Sequence, residues 1–97
     1  MANVVLSNRA EQDLSGIWRS IAVDNEPAAD RLLRQLEKKM SRLADFPGIG
    51  APRPELRLSA RILISNPYLI LYEHDEANDV VLIVTVVDGR RDLQDFL

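Results

Sequence analysis

Residues 68–87 read YLILYEHDEANDVVLIVTVV, and the rest of the fold is read outward from this stretch. Two apolar, β-branched and aromatic runs flank the polar segment Asp75-Glu76-Ala77-Asn78-Asp79. That pattern predicts a strand at 68–74, a hairpin loop and a strand at 80–87. Side chains alternate between the two sides of a strand. Leu69 and Leu71 then oppose Tyr68, Ile70 and Tyr72, while Val81 and Ile83 oppose Leu82, Val84 and Val86. Both faces are therefore apolar, whereas an antiparallel sheet in a small domain commonly leaves one face polar. The second face is expected to meet something beyond the chain's own helices, most simply another protein chain.

Working upstream, residues 56–65 predict a further strand, turned into the hairpin by Asn66-Pro67. Phe46 to Pro54 holds three prolines and two glycines in nine positions, so it reads as an irregular loop. Ahead of it lie two amphipathic patterns. Ala10, Leu14, Ile17, Trp18, Ile21 and Ala22 form the apolar stripe of a helix at about 8–23. Ser7 and Asn8 are its cap candidates, and Asn8 stands in capping-box spacing with Glu11. Asn25 and Pro27 suit the start of a second helix at about 26–45, with Ala29, Leu32, Leu33, Leu36, Met40 and Leu43 inward. So short a link packs the two as an antiparallel hairpin. Val4-Val5-Leu6 is a short first strand, expected at the sheet edge. The fold class is α+β, ordered β-α-α-β-β-β, with the helical hairpin on one face of an antiparallel sheet. Residues 1–97 make a single domain, with no repeat or low-complexity segment.

Composition narrows the function. Cysteine is absent, which excludes disulfides and thiolate metal sites and fits a reducing cytoplasm. No signal peptide is expected from the first residues, and no apolar run approaches the ~20 residues of a membrane span. The net charge of −3 lacks the basic excess of a nucleic-acid binder. Charge is uneven, however: residues 31–61 carry eight Lys or Arg against three acids. A solvated helix and loop is the simpler reading of that run, with a basic patch as the sharper one.

Groups able to do chemistry are few. His74 is the only histidine and is expected to be exposed and non-catalytic. Asp75, Glu76 and Asp79 lack calcium-loop spacing and read as a solvated turn. Gly48-Ile49-Gly50 follows a helix and lacks a third glycine, so it is not a dinucleotide loop. Trp18 is most simply core. No cofactor or metal is expected. Asp88-Gly89-Arg90-Arg91-Asp92 is the densest polar cluster. It reads either as a salt-bridged turn, with Gly89 allowing a sharp bend, or as a loop presenting two arginines to phosphate or carboxylate.

Several of these pieces occur in a familiar order. Leu6-Ser7 with Ala10, Asp13-Leu14 and Ile17-Trp18 opens the chain. Phe46-Pro47-Gly48-Ile49-Gly50 precedes Arg53-Pro54-Glu55-Leu56, Tyr68, Ile70 and Tyr72 alternate along one strand, and Gly89-Arg90-Arg91-Asp92-Leu93 closes the chain. Together they resemble, almost end to end, the ParE branch of the RelE/ParE superfamily of toxins from toxin–antitoxin pairs. The resemblance implies a β-α-α-β-β-β fold, a cognate antitoxin that wraps the toxin and itself binds operator DNA, and DNA gyrase as the target. Direct nucleic-acid contact is then expected only through the antitoxin. Gly89, Arg90, Arg91, Asp92, Phe96 and Leu97 are the expected target-facing residues, and Leu14, Trp18, Leu36, Met40, Tyr68 and Tyr72 the expected antitoxin contacts.

Two departures bear on the reaction. Asp88 stands where many relatives have His, and the chain ends at Phe96-Leu97 without the Tyr or His of messenger-cleaving relatives. Cleavage would need a proton-transfer group and a cationic cradle for phosphate. A binding inhibitor is therefore expected. The alternatives are a ribosome-dependent endoribonuclease using Arg61 and Arg91, and a non-toxic module that keeps only antitoxin binding.

Overall fold

A computed structural model describes residues 1–90 of the chain. The strands are β1 (Asn3–Leu6), β2 (Ala51–Pro52), β3 (Ala60–Ser65), β4 (Tyr68–Asp75) and β5 (Val80–Asp88), and the helices are α1 (Asn8–Ala22) and α2 (Glu26–Ser41), followed by a 3₁₀ turn at Arg42–Ala44. The five strands form one sheet in the order β1-β5-β4-β3-β2. The predicted element order holds, and β1 lies at the edge as expected. The sheet is mixed, however, not antiparallel: β1 runs parallel to β5, with Leu6 opposite Ile83. A parallel pair needs a long crossover, and almost the whole chain lies between these strands. Period-two alternation is the same for both pairings, so the direction of β1 was not legible.

The Pro-rich loop also contributes a strand. Ala51 and Pro52 pair with Ile62 and Arg61 at the far edge, where a missing N–H is tolerated. Turns consume residues 54–59, so β3 starts at Ala60, later than predicted.

Ser7, not Asn8, caps α1, its hydroxyl accepting from the Ala10 N–H at 3.0 Å. The same Oγ donates to the Val84 carbonyl at 2.7 Å. One turn on, Asp13 Oδ2 accepts from Thr85 Oγ1 (2.5 Å) and the Val86 N–H (3.0 Å). These contacts dock α1 on the stretch of β5 beyond its last pairing with β1. They coincide with a register shift: Leu71 faces Thr85 but Tyr72 faces Ile83. The shift turns Val86 to the helix side with Val81 and Ile83, and leaves Val84 and Val87 opposite. Strict alternation had placed Val86 with Leu82 and Val84; a bulge resets it.

The main core lies between helices and sheet, built on Leu36, Leu43, Ile70, Tyr72, Val81 and Ile83, each fully buried. The second face is covered at its centre as well, with Ile64 and Val5 left exposed toward its edges. Ile62, Leu71, Val84 and Val87 are buried there, packed with the half-buried Leu56, Leu69 and Leu82. The expectation that this face waits for another chain is therefore corrected. Leu56 arrives from the turns ahead of β3, which the sequence reading had assigned to a strand.

Candidate functional site

A large concavity lies on the helix side. α1 presents Leu14 and Trp18 one turn apart, α2 presents Leu33 and Met40, and β1 presents Val4 and Leu6. Together they line an open groove of about 850 Å³, with Glu11, Arg19 and Glu37 also lining it. Val4 and Leu6 are half-buried there, packed on the core from the sheet edge. Trp18 is held in place by its own hydrogen bond, Nε1–H to Asp30 Oδ1 at 2.8 Å.

Two of the expected antitoxin contacts, Leu14 and Trp18, thus meet in one groove, with the buried Met40, 3% exposed, at its floor. Tyr68 lies apart, in a polar pocket with Gln12, Ser20 and Asp88. Leu36 and Tyr72 are fully buried and have no surface to offer a partner, so these two assignments are corrected: both serve the core. Val4, Leu6 and Leu33 were missed. Leu33 had been read as inward, and β1 carries no signal of which face is left open.

Tyr72 instead ties down the Pro-Gly loop. Its hydroxyl donates to the Pro47 carbonyl at 2.7 Å and accepts from the Gly50 N–H at 2.9 Å. Arg61 Nη1 donates to the carbonyls of Gly48 (3.1 Å) and Gly50 (2.7 Å). Phe46 and Ile49, at 60% and 44% exposure, stand out from the loop so fixed. Burial pushes the Tyr72 phenol above its usual value near 10, against the hydrogen bond from Gly50 and the nearby Arg61 charge. A raised folded-state value means full stability below pH 10, lost as the unfolded chain ionises first. Urea midpoints are expected to be flat up to about pH 9 and to fall above pH 10. Tyr72→Phe is expected to start lower and to lose this alkaline fall.

The strand-end cluster divides. Arg90 folds back on Asp88, its Nε donating to Oδ1 at 2.9 Å. Gly89 is exposed, and its N–H donates to the Pro67 carbonyl at 2.7 Å. A Cβ there would lie 2.9 Å from that carbonyl. Glycine therefore permits a close approach here; its φ is not positive, so the sharp-bend expectation is revised. Arg91, Asp92, Phe96 and Leu97 lie outside the described residues. His74 is half-buried and pairs with Asp79 across 3.1 Å. No group of three or more His, Cys, Asp or Glu suited to a metal occurs among the described residues, and none of their helices is long and apolar enough to cross a membrane.

Comparison with known proteins agrees with this geometry. Residues 4–93 match the family model described as the ParE toxin of type II toxin–antitoxin systems, parDE. Toxin ParE3 of Caulobacter vibrioides is 29% identical over 94 residues, covering 96% of this chain and 92% of the relative. Among solved structures, a chain of the chromosomal ParDE system from P. aeruginosa superposes with a TM-score of 0.76 at 19% identity, covering 91% of this chain and 96% of the other. A chain of the RelBE2 toxin–antitoxin complex from Mycobacterium tuberculosis gives 0.70 at 20% identity over 90% and 96%. The structural likenesses carry the fold, and the family match carries the assignment: this chain belongs to the ParE toxin family of type II toxin–antitoxin systems.

Proposed function

We propose that the chain acts by binding rather than by chemistry, inhibiting DNA gyrase in the cytoplasm until a cognate antitoxin restrains it. The groove between α1, α2 and β1 is the observation that supports restraint by a partner. A solvent-facing trough lined by Leu6, Leu14, Trp18 and Leu33 gains free energy when an apolar segment displaces its water. Its shape suits an amphipathic helix laid in a groove, with anchors one turn apart. Family membership supports gyrase as the target. The exposed Phe46 and Ile49, on a loop fixed before any encounter, suit a target-facing role because an ordered loop loses little entropy on docking.

The ribonuclease alternative relied on Arg61 and Arg91 to hold phosphate. Nη1 of Arg61 is engaged with two loop carbonyls, which favours the binding reading. Purified chain is expected to block gyrase supercoiling, and added antitoxin to restore it. No inhibition at micromolar excess would overturn the gyrase reading, and new transcript ends within ribosomal A-site codons after induction would establish the ribonuclease. Unimpaired growth on expression without the antitoxin would leave only the non-toxic module.

A further inference from the structure

The outer face of α2 concentrates positive charge in a chain that is negative overall. At about 100° per residue, Arg31, Arg34, Lys38 and Lys39 fall within an arc of about 140°. Arg42 follows directly beyond the last turn. Arg31, Arg34, Lys38 and Arg42 are exposed, and Lys39 is half-exposed. The helix's acids, Glu26, Asp30 and Glu37, gather on a different flank: Glu37 lines the groove and Asp30 holds Trp18. Among the described residues, none of the five cations forms a side-chain hydrogen bond or ion pair. Lys38, Lys39 and Arg42 converge with Gln35 and Ser65 around a shallow pocket of about 290 Å³ that no acid lines.

A helix C-terminus favours cations in its last turn, which accounts for Lys38 and Lys39 but not for Arg31 and Arg34. From this separation of charge we infer that the outer face of α2 is a docking strip for the phosphodiester backbone of a nucleic-acid duplex. Residues 31–42 span about 16 Å at 1.5 Å per residue. Phosphates recur every 3.4 Å of duplex axis on each strand but wind around it, so a straight strip of this length reaches about two or three of them. An acidic protein partner fits less well, because the strip offers no apolar or aromatic side chain for a desolvated interface centre. The expectation of no direct nucleic-acid contact rested on the resemblance and on net charge, and net charge averages the strip with acids that lie elsewhere. The inference is independent of the target: it stands whether or not gyrase is inhibited.

Fluorescence anisotropy of a labelled random-sequence 20-bp DNA duplex, and of the RNA duplex of the same sequence, tests the strip on the full chain. At 50 mM salt, binding in the micromolar range is expected. Two or three phosphate contacts give a log–log salt slope near −2, so affinity should fall about twentyfold by 200 mM. The variant carrying Arg31→Glu, Lys38→Glu and Arg42→Glu should bind at least about tenfold more weakly with an unchanged thermal midpoint. Arg57→Gln, a cation outside the strip, should bind as the parent does. Tighter binding of one duplex identifies it as the natural source of the phosphates. No binding of either duplex at 50 mM salt, equal binding by the triple variant, or displacement by polyglutamate at equal charge concentration would overturn the inference.

Discussion

Trp18→Ala is expected to weaken antitoxin binding by roughly 100-fold, the cost of removing an aromatic anchor worth about 2–3 kcal/mol. Trp18 is the one aromatic side chain in the groove and is positioned before any partner arrives by its bond to Asp30. Trp18→Phe retains most of the apolar area but loses that bond, so an intermediate loss of about tenfold is expected. Ile64→Ser supplies the contrast. Ile64 is 60% exposed on the strand next to β4 and does not line the groove, so its affinity should match the parent's. Isothermal titration with purified antitoxin reads all three, and thermal unfolding of each free variant separates lost contact from lost fold. If Ile64→Ser cost more than Trp18→Ala, the partner would dock elsewhere.

Gly50→Ala is expected to destabilise the chain by about 3 kcal/mol, a drop of roughly 15 °C in thermal midpoint for a domain of this size. A Cβ at Gly50 would lie 2.7 Å from both Cε1 and the hydroxyl oxygen of Tyr72, and 2.8 Å from the Ile62 carbonyl. Tyr72 is fully buried and cannot swing aside, and the carbonyl belongs to β3. The added methyl must push the loop off the sheet, breaking the Gly50–Tyr72 and Arg61–Gly50 bonds together. Gly16→Ala runs the other way. Nothing lies within 4 Å of a Cβ there, and alanine in mid-helix is worth about 0.5–1 kcal/mol over glycine. A differential-scanning melt showing equal effects at the two glycines would contradict this account of the loop.

The two glycines illustrate what could be read in advance. Both stood in plain sight, but only the fold says that one faces a tyrosine ring and the other faces water. Helix starts were legible because apolar spacing, Ser7, Asn25 and Pro27 all agree on them, but the pattern ran on to about 45 whereas α2 ends at Ser41 and tightens into the 3₁₀ turn. The hairpin of β4 and β5 was legible from alternation and the polar break at 75–79. Three features were not. The direction of β1 leaves no trace in a four-residue apolar run. The register shift near Val84 accompanies a bond from the Val86 N–H to Asp13, far away in sequence. The closure of the second sheet face depends in part on Leu56, which sits in a segment of turns. For the site, helical spacing offered Leu14, Trp18 and Met40, which the fold brings to one groove. It also offered Leu36, because the core stripe and the groove stripe of one helix are adjacent, and spacing alone does not separate a wall from a floor.

The sole tryptophan of the chain lines the groove, so its fluorescence reports occupancy directly. Acrylamide quenching of Trp18 is to be measured in the free chain and in complex with a tryptophan-free antitoxin. Filling of the groove predicts a blue-shifted emission and a quenching constant several-fold lower in the complex. A stable complex in which Trp18 remained as quenchable as in the free chain would contradict the claim that this groove is where the toxin is held.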